Sequence, residues 1–294
     1  MDSRGVPQRV SVIIPVHNGS DVIGGQLEAL AGQTYGGPVE VVVVDNRSTD
    51  DLAGALEPFR DRLRIRMVPA PDRGGVSHAR NVGCRHAEGD FLAICDADDV
   101  VEADWLAELV RAAAAADVVG GPLETARLNA PKVRRWRSVS TAAGLPRSMS
   151  FLPYAFGANV ALWRTVFETT GGWDERFVGG GDDVDFGWRV QLSGFTLGFA
   201  PGAVVHYRLR QSLLATLRQK IAYSESDAML VRCHRDVLPR ARSVGRLLSS
   251  VGWLITRSPY LLMFGSWRQG RWLVNAAGLW GGARGSVRHR VWAL

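Results

Sequence analysis

From residue 10 to about residue 208 the chain alternates short apolar runs with amphipathic stretches. Val10–Val16 is a continuous, mostly β-branched run, the pattern of a strand buried on both faces. Ser20 stands where it would cap a helix over 21–33, with Ile23, Leu27 and Leu30 on one face. Residues 40–44 repeat the buried-strand pattern. Thr49 or Asp50 would cap a short helix ending near Pro58, and 63–68 alternate as a third strand. A helix over 77–87, a strand over Phe91–Cys95, a helix over 104–116 and a strand from Asp117 follow. Further on, order resumes with 157–162 and Arg164 opens a helix. Asp182–Leu192 is a helix with an acidic first turn, and 196–207 reads as a strand pair around Pro201 and Gly202. A helix over 212–233 leads into the final segment.

Repeated β-α-β alternation at this spacing predicts an α/β fold, a mostly parallel sheet flanked by helices. Ligands of such sheets sit beyond the carboxyl ends of the strands. The residues expected there are Asn18, Asp45, Asp72 with Arg73, and the acidic run 96–99. Segment 125–150 breaks the pattern. It holds Lys132, Arg134, Arg135, Arg137 and Arg147 and reads as an exposed or mobile connection.

Composition narrows the class. Apolar residues at 46% and charged residues at 22% exclude a disordered, collagen-like or coiled-coil chain. Three cysteines without a CxxC pair exclude a disulfide framework and point to a reducing compartment. Residues 1–9 are polar, so no leader is expected, and no run reaches the roughly 18 uncharged residues of a spanning helix. The net charge of +6 is unevenly spread. Residues 232–294 hold eleven arginines against one acid, Asp236, and five of the ten tryptophans. A mildly acidic body therefore carries a basic, Trp-rich tail.

Two acidic foci suggest chemistry. Asp96-Ala97-Asp98-Asp99 sets three carboxylates in four residues at a strand end. A divalent cation, Mg²⁺ or Mn²⁺, would relieve their repulsion. The plain alternative is a solvated turn in which Asp99 or Asp104 caps the next helix. In Gly179-Gly180-Gly181-Asp182-Asp183-Val184-Asp185 the glycines admit a ligand close to the backbone. A carboxylate in the first turn is held ionised by the helix dipole, which suits a general base for a hydroxyl. Here the alternative is a well-capped helix after a flexible loop. The polar loop 45–50 either contacts a nucleotide or caps its helix. Arg73 and Arg80, with Gly74 and Gly75 at a helix start, suit phosphates. His206 stands alone at a strand end, a pattern more often structural than ligating.

In their order these pieces resemble glycosyltransferase family 2, the inverting transferases of the GT-A fold. Val12-Ile13-Ile14-Pro15-Val16-His17-Asn18 resembles the family's opening strand, with His17 where Tyr is usual. Val42-Val43-Val44-Asp45-Asn46-Arg47-Ser48 resembles its nucleotide loop, with Asn46 and Arg47 in place of Asp and Gly. Arg73 to Asn81, Asp96 to Asp99, Gly171-Gly172-Trp173-Asp174-Glu175 and Gly181-Asp182-Asp183-Val184-Asp185 follow in the family's order. The resemblance covers about residues 10–208. It implies a GT-A glycosyltransferase domain over 1–208, followed by a helical, Arg/Trp-rich extension over 209–294.

The resemblance also implies roles. The donor is a nucleoside-diphosphate sugar. Asp45 would read the nucleobase beside Pro15, Val16 and Asn18, Asp96 would lie near the ribose, and Arg73, Arg80 and Asp182 would line the nucleotide. Asp98 would hold the metal, Mn²⁺ or Mg²⁺, with His206 as a further ligand. Asp183 would be the catalytic base, and Trp173 and Trp188 would stack on sugar rings or belong to the core. Two other readings compete. Asp96 to Val100 also fits the nucleophile motif of haloacid-dehalogenase-like phosphatases, although that motif usually follows the first strand and the chain has only two lysines. The acidic loops could also serve a non-catalytic membrane-binding module.

The tail mixes apolar runs too short to span with Arg257, Arg268, Arg271, Arg284, Arg288 and Arg290, which suits helices lying in an anionic membrane interface. A packing subdomain or an oligomer interface is the alternative, and nucleic acid is not expected. Docking of this kind would bring the enzyme to a glycan or lipid-linked acceptor, as a cytoplasmic protein peripheral on the inner face of the cell membrane.

Overall fold

A computed structural model describes residues 5–137, 139, 143–238 and 244–292. Arg240 and Arg242, counted in the basic tail, lie outside the described residues. The strands are β1 Val10–Val16, β2 Val39–Asp45, β3 Ile65–Pro69, β4 Phe91–Cys95, β5 Val100–Val101, β6 Val118–Gly120, β7 Leu123–Glu124, β8 Asn159–Trp163, β9 Leu197–Phe199 and β10 Val205–His206. The helices are α1 Ile23–Ala31, α2 Leu52–Leu56, α3 Val76–His86, α4 Trp105–Ala113, α5 Pro131–Trp136, α6 Arg164–Thr170, α7 Asp182–Leu192, α8 Leu213–Cys233, α9 Val244–Thr256 and α10 Trp267–His289.

Two compact units result. The first comprises Met1–Glu124, Ser140–Val178 and Asp182–Tyr207. Its main sheet runs β3-β2-β1-β4-β8-β6-β9. The first four strands are parallel, β8 is antiparallel to both neighbours, and β6 and β9 are parallel. The mostly parallel sheet is therefore as expected. Val10, Val12, Ile13 and Ile14 are wholly buried because both faces of β1 are covered. Ile13, Val42, Val44, Leu92 and Ile94 form one core with Ala79 and Val82 of α3 and with Trp173 and Phe186. Chain order reverses at β1, which lies between β2 and β4. That switch point is where an open α/β sheet makes a crevice. A second sheet, β5-β10-β7, sets His206 opposite Val100 and Glu124.

Local expectations needed correction. Ser20 does not cap α1. Its N–H donates to Asp50 Oδ2 at 2.8 Å, and α1 starts only at Ile23. Asp50 is thereby occupied, and Asp51 caps α2 by accepting from Gly54 N. Residues 196–207 do not pair with each other: β9 joins the main sheet and β10 the small one.

The second unit comprises Thr125–Val139, Gly179–Gly181 and Arg208–Leu294. Segment 125–150 is not all connection. Pro131 starts α5, and Val133 and Trp136 are buried. Trp136 covers Gly270, where any Cβ would come within 2.3 Å of the indole nitrogen. Ser212 caps α8, as its hydroxyl accepts from Ala215 N. The backbones of α8 and α10 meet closely at Gly281 and Gly285. A Cβ at Gly281 would lie 2.4 Å from Ile221 O, and one at Gly285 2.7 Å from Glu225 O.

Candidate active site

A cleft of about 560 Å³ opens at the carboxyl ends of β1 and β2, lined by Pro15, Val16, His17, Asn46, Arg47, Gly74, Gly75, Val76 and Ala79. Its walls are tied by short polar side chains. Asn46 Nδ2 donates to Ala70 O (2.8 Å) and Arg73 O (2.7 Å), while its Oδ1 accepts from Gly75 N (2.8 Å). One amide thus fixes the 70–75 loop to the end of β2. Asn18 takes a positive φ of 52°, donates its N–H to Ser48 Oγ and accepts from Thr49 N. Asp45 Oδ1 accepts from Ser48 N at 2.8 Å, and Oδ2 has no hydrogen bond among the described residues. Arg47 also sits at positive φ, 67°, a conformation rare outside Gly, Asn and Asp. Gly75 reaches φ 134° at the start of α3, whose first residue, Val76, lines the cleft.

The acidic foci meet at Arg80, on the buried face of α3. Its guanidinium is 4% exposed. Nη1 lies 2.9 Å from Asp182 Oδ2 and 3.0 Å from Asp183 Oδ1, and Nη2 lies 3.3 Å from Asp96 Oδ1. Ser77 Oγ adds a 3.3 Å bond to Asp182. Gly157 makes room: a Cβ there would fall 2.3 Å from Arg80 Cζ. Burial works against charge on Arg80, yet Asp183, Asp96 and Asp182 hold it above its ordinary value. Burial, reinforced by Asp182, pushes Asp183 up to about 7, while Arg80 and a backbone hydrogen bond at Gly157 pull it down. Burial raises Asp182 as well, so the two carboxylates titrate together. Asp183 keeps 21% of its side chain exposed, so it is reachable where Asp182 is not.

After β4, Asp96 and Asp98 are partly exposed while Ala97 and Asp99 turn inward. The small sheet brings His206 to this run, since it pairs with Val100, two residues beyond Asp98. His206 is no plain core histidine. Its Nδ1 is 2.8 Å from Glu124 Oε2 and its Nε2 2.5 Å from Glu102 Oε1. Among the described residues no group of three His, Cys, Asp or Glu side chains is already arranged around a metal position.

The sequence-predicted residues thus fall into groups. Pro15, Val16, Asn18 and Asp45 belong to the cleft or its immediate wall, and Arg80, Asp96, Asp182 and Asp183 to the ionic cluster. Arg73 serves the cleft through its carbonyl, and its side chain reaches only toward Glu175, at 3.9 Å. Of the two readings left open for Trp173 and Trp188, the structure takes the core. At 2% and 0% exposed, neither has a ring face for a sugar. Trp173 stacks on Phe186 at 4.3 Å, and Trp188 donates to Leu152 O. Sequence reading missed Asn46 as the loop tie, Gly157 as the space for Arg80, and Glu102 and Glu124 on His206. The polar loop 45–50 stood out in the sequence, but nothing in it marked Asn46 as the residue that ties down 70–75.

A family model described as Glycosyl transferase family 2 matches residues 11–171. Glycosyltransferase AglE of Haloferax volcanii is 32% identical over 197 residues, covering 65% of this chain and 64% of that protein. Validoxylamine A glucosyltransferase of Streptomyces hygroscopicus subsp. jinggangensis is 31% identical over 221 residues, covering 64% and 52%. The match spans between half and two thirds of the length of these relatives, and a third or less of some others. Among solved structures, mannosyltransferase PcManGT from Pyrobaculum calidifontis, in complex with GDP-Man and Mn²⁺, superposes with a TM-score of 0.62 at 22% identity, covering 95% of this chain and 89% of that one. S. aureus TarS 1-349, in complex with UDP-GlcNAc, gives 0.53 at 16%, covering 96% and 92%. Both support the GT-A fold. No match supports the phosphatase reading of Asp96. With the family match running through β1 to β8, over more than half of its length, the chain belongs to glycosyl transferase family 2.

Proposed function

We propose that the chain is an inverting, metal-dependent glycosyltransferase that moves a sugar from a nucleoside-diphosphate sugar to a hydroxyl of a glycan, free or lipid-linked. The observation that carries this reading is the Arg80 cluster, which joins a partly exposed carboxylate, Asp183, to the acidic end of β4 beside the switch-point cleft. The nucleotides named with PcManGT and TarS support the donor class.

The cleft takes the nucleotide, with Asp45 Oδ2 open to the base and Asp96 near the ribose. Mn²⁺ or Mg²⁺ fits the residues present. Asp96 and Asp98, both partly exposed after β4, supply hard oxygen donors at the acidic end of the sheet. Asp98 would hold the ion, and His206 would join it by giving up the Glu102 or Glu124 contact that now occupies each of its ring nitrogens. So small a protein ligand set suits a cation that shares its shell with substrate phosphates. When bound, the ion neutralises charge growing on the leaving diphosphate. Asp183, with its pKa near the working pH, takes the acceptor's proton as the hydroxyl oxygen bonds to the anomeric carbon. The bond from that carbon to the diphosphate oxygen breaks on the opposite face, so configuration inverts once. Arg80 keeps the base oriented throughout.

In this reading transfer is the work of residues 1–208 and attachment that of 209–294. No helix among the described residues is long and apolar enough to cross a membrane. The Arg- and Trp-rich extension supports peripheral attachment at the cytoplasmic face, near a lipid-linked acceptor. The donor reading is tested by a thermal-shift screen of nucleoside diphosphates and their sugars with and without Mn²⁺. A ligand at 100 times its Kd should add about 2.7 kcal/mol of stability. Absence of any shift across all the nucleoside diphosphates, with or without Mn²⁺, would overturn the donor assignment.

A further inference from the structure

The region from the start of α9 to the start of α10 has an unusual surface. No described side chain of α9 is buried. Leu248, Val251 and Ile255, spaced three and four apart, present one exposed apolar face. The turn that follows carries Leu262, Met263 and Phe264 outward. Leu262 is 77% and Phe264 83% exposed, so three consecutive apolar side chains form a projecting tip.

The charge around this tip is one-sided. Residues 237–294 contain nine arginines and no Asp or Glu. Arg284 and Arg288 are answered by Glu225 of α8. Arg257, Arg268 and Arg271 have no carboxylate partner among the described residues. They lie instead over aromatic rings: Arg257 5.0 Å and Arg271 5.9 Å from Trp253, and Arg268 5.5 Å from Trp267. Guanidinium groups on Trp faces beside exposed aliphatic side chains match the headgroup layer, where the apolar part enters the acyl boundary and the cations meet phosphates.

A second copy of the chain fits poorly. A two-fold contact through this face would set the three arginines against themselves, with no acid from 237–294 to neutralise them. The tip also projects, whereas a protein partner would have to supply a pocket for it. We infer that α9 and the Leu262–Phe264 turn form a docking surface for an anionic lipid bilayer, with the apolar tip inserted and Arg257, Arg268 and Arg271 on the phosphates. This deepens the membrane part of the function proposed above and rests on it. Sugar transfer is read separately, so either can fail alone.

The test uses the full chain and two kinds of vesicle, phosphatidylcholine alone and phosphatidylcholine with phosphatidylglycerol. The chain should sediment with the anionic vesicles at low salt, be released by high salt, and leave neutral vesicles largely bare. Replacing Arg257 and Arg268 by Gln should weaken partition on the order of fivefold for each arginine engaged. The double change Leu262→Glu and Phe264→Glu should weaken it on the order of a hundredfold or more, since it adds two anions and removes the inserted groups. Leu192→Glu, at an exposed position of the first unit, should change nothing. Melting temperature and nucleotide binding should be unaltered in all three. Wild type that ignores anionic vesicles at low salt, or binds both kinds equally, overturns the proposal without needing any variant to fold. A lipid-free dimer that the Leu262/Phe264 change converts to monomer would assign the surface to a second copy instead.

Discussion

Replacing Arg80 by Met keeps most of the side-chain volume and removes the charge. Asp182, Asp183 and Asp96 are then left without the cation that stands 2.9, 3.0 and 3.3 Å away. Breaking a buried ion pair by deleting one partner costs about 3–5 kcal/mol, because the other charge stays buried. The upper part of that range is appropriate here, since three acids lose one partner that is 4% exposed. The loss should depend on pH in a fixed direction. Burial already raises Asp182 and Asp183, and losing Arg80 raises both further. Acids whose folded pKa exceeds the unfolded value bind protons more tightly in the fold, so they penalise stability as pH rises from about 4 through about 7. The deficit of Arg80→Met should therefore be larger near pH 8 and shrink toward pH 5, as the carboxylates take up protons. Urea denaturation of wild type, Arg80→Met and Arg80→Lys at the two pH values reads this directly. Lys keeps the charge but not the fork that spans three acids, so it should fall between the other two. A deficit below about 1 kcal/mol, or one of equal size at both pH values, would refute the reasoning.

Gly157→Ala should reproduce part of this effect. Its Cβ would press on Arg80 Cζ from 2.3 Å, and melting temperature and turnover should fall together. Asp98→Asn should abolish the Mn²⁺-dependent part of nucleotide binding, measured by calorimetry, while the fold survives. Undiminished metal-dependent affinity would exclude it as a ligand. His206→Ala should raise the Mn²⁺ needed for half-activity and spare metal-free nucleotide binding. A drop in melting temperature with unchanged metal demand would instead show that the Glu102–His206–Glu124 contact is structural.

Much of the first unit was legible because strands buried on both faces are mostly apolar, the buried Ser11–Glu40 pair aside. Val10–Val16 and Phe91–Cys95 carry that signature without help from distant residues. Helix α7 could be bounded at Asp182 and Leu192 because glycines and an acidic turn mark its start. The two-residue strands β5, β7 and β10 are too short to show a period, so the small sheet that brings His206 to the acidic run was hidden. The Arg80 cluster was hidden for another reason. Its partners lie 16, 102 and 103 residues away, and a lone Arg in a helix does not announce which acids it will meet. Trp173 and Trp188 have the composition of a sugar platform and of a core equally, and only packing decides. Pro131 marks the start of α5, but the Gly270 notch that seats Trp136 is more than 130 residues on.

In the proposed reaction Asp183 deprotonates an acceptor hydroxyl while the donor's sugar inverts. Proton NMR of a turnover reaction with the nucleotide sugar found by screening, followed from the first minutes with wild type and with Asp183→Asn, tests both halves at once. The first product formed should have the anomeric configuration opposite to the donor's. Asp183→Asn should bind the same nucleotide yet turn over on the order of 10²–10⁴ times more slowly. Product of retained configuration, or wild-type turnover in Asp183→Asn, would contradict the account.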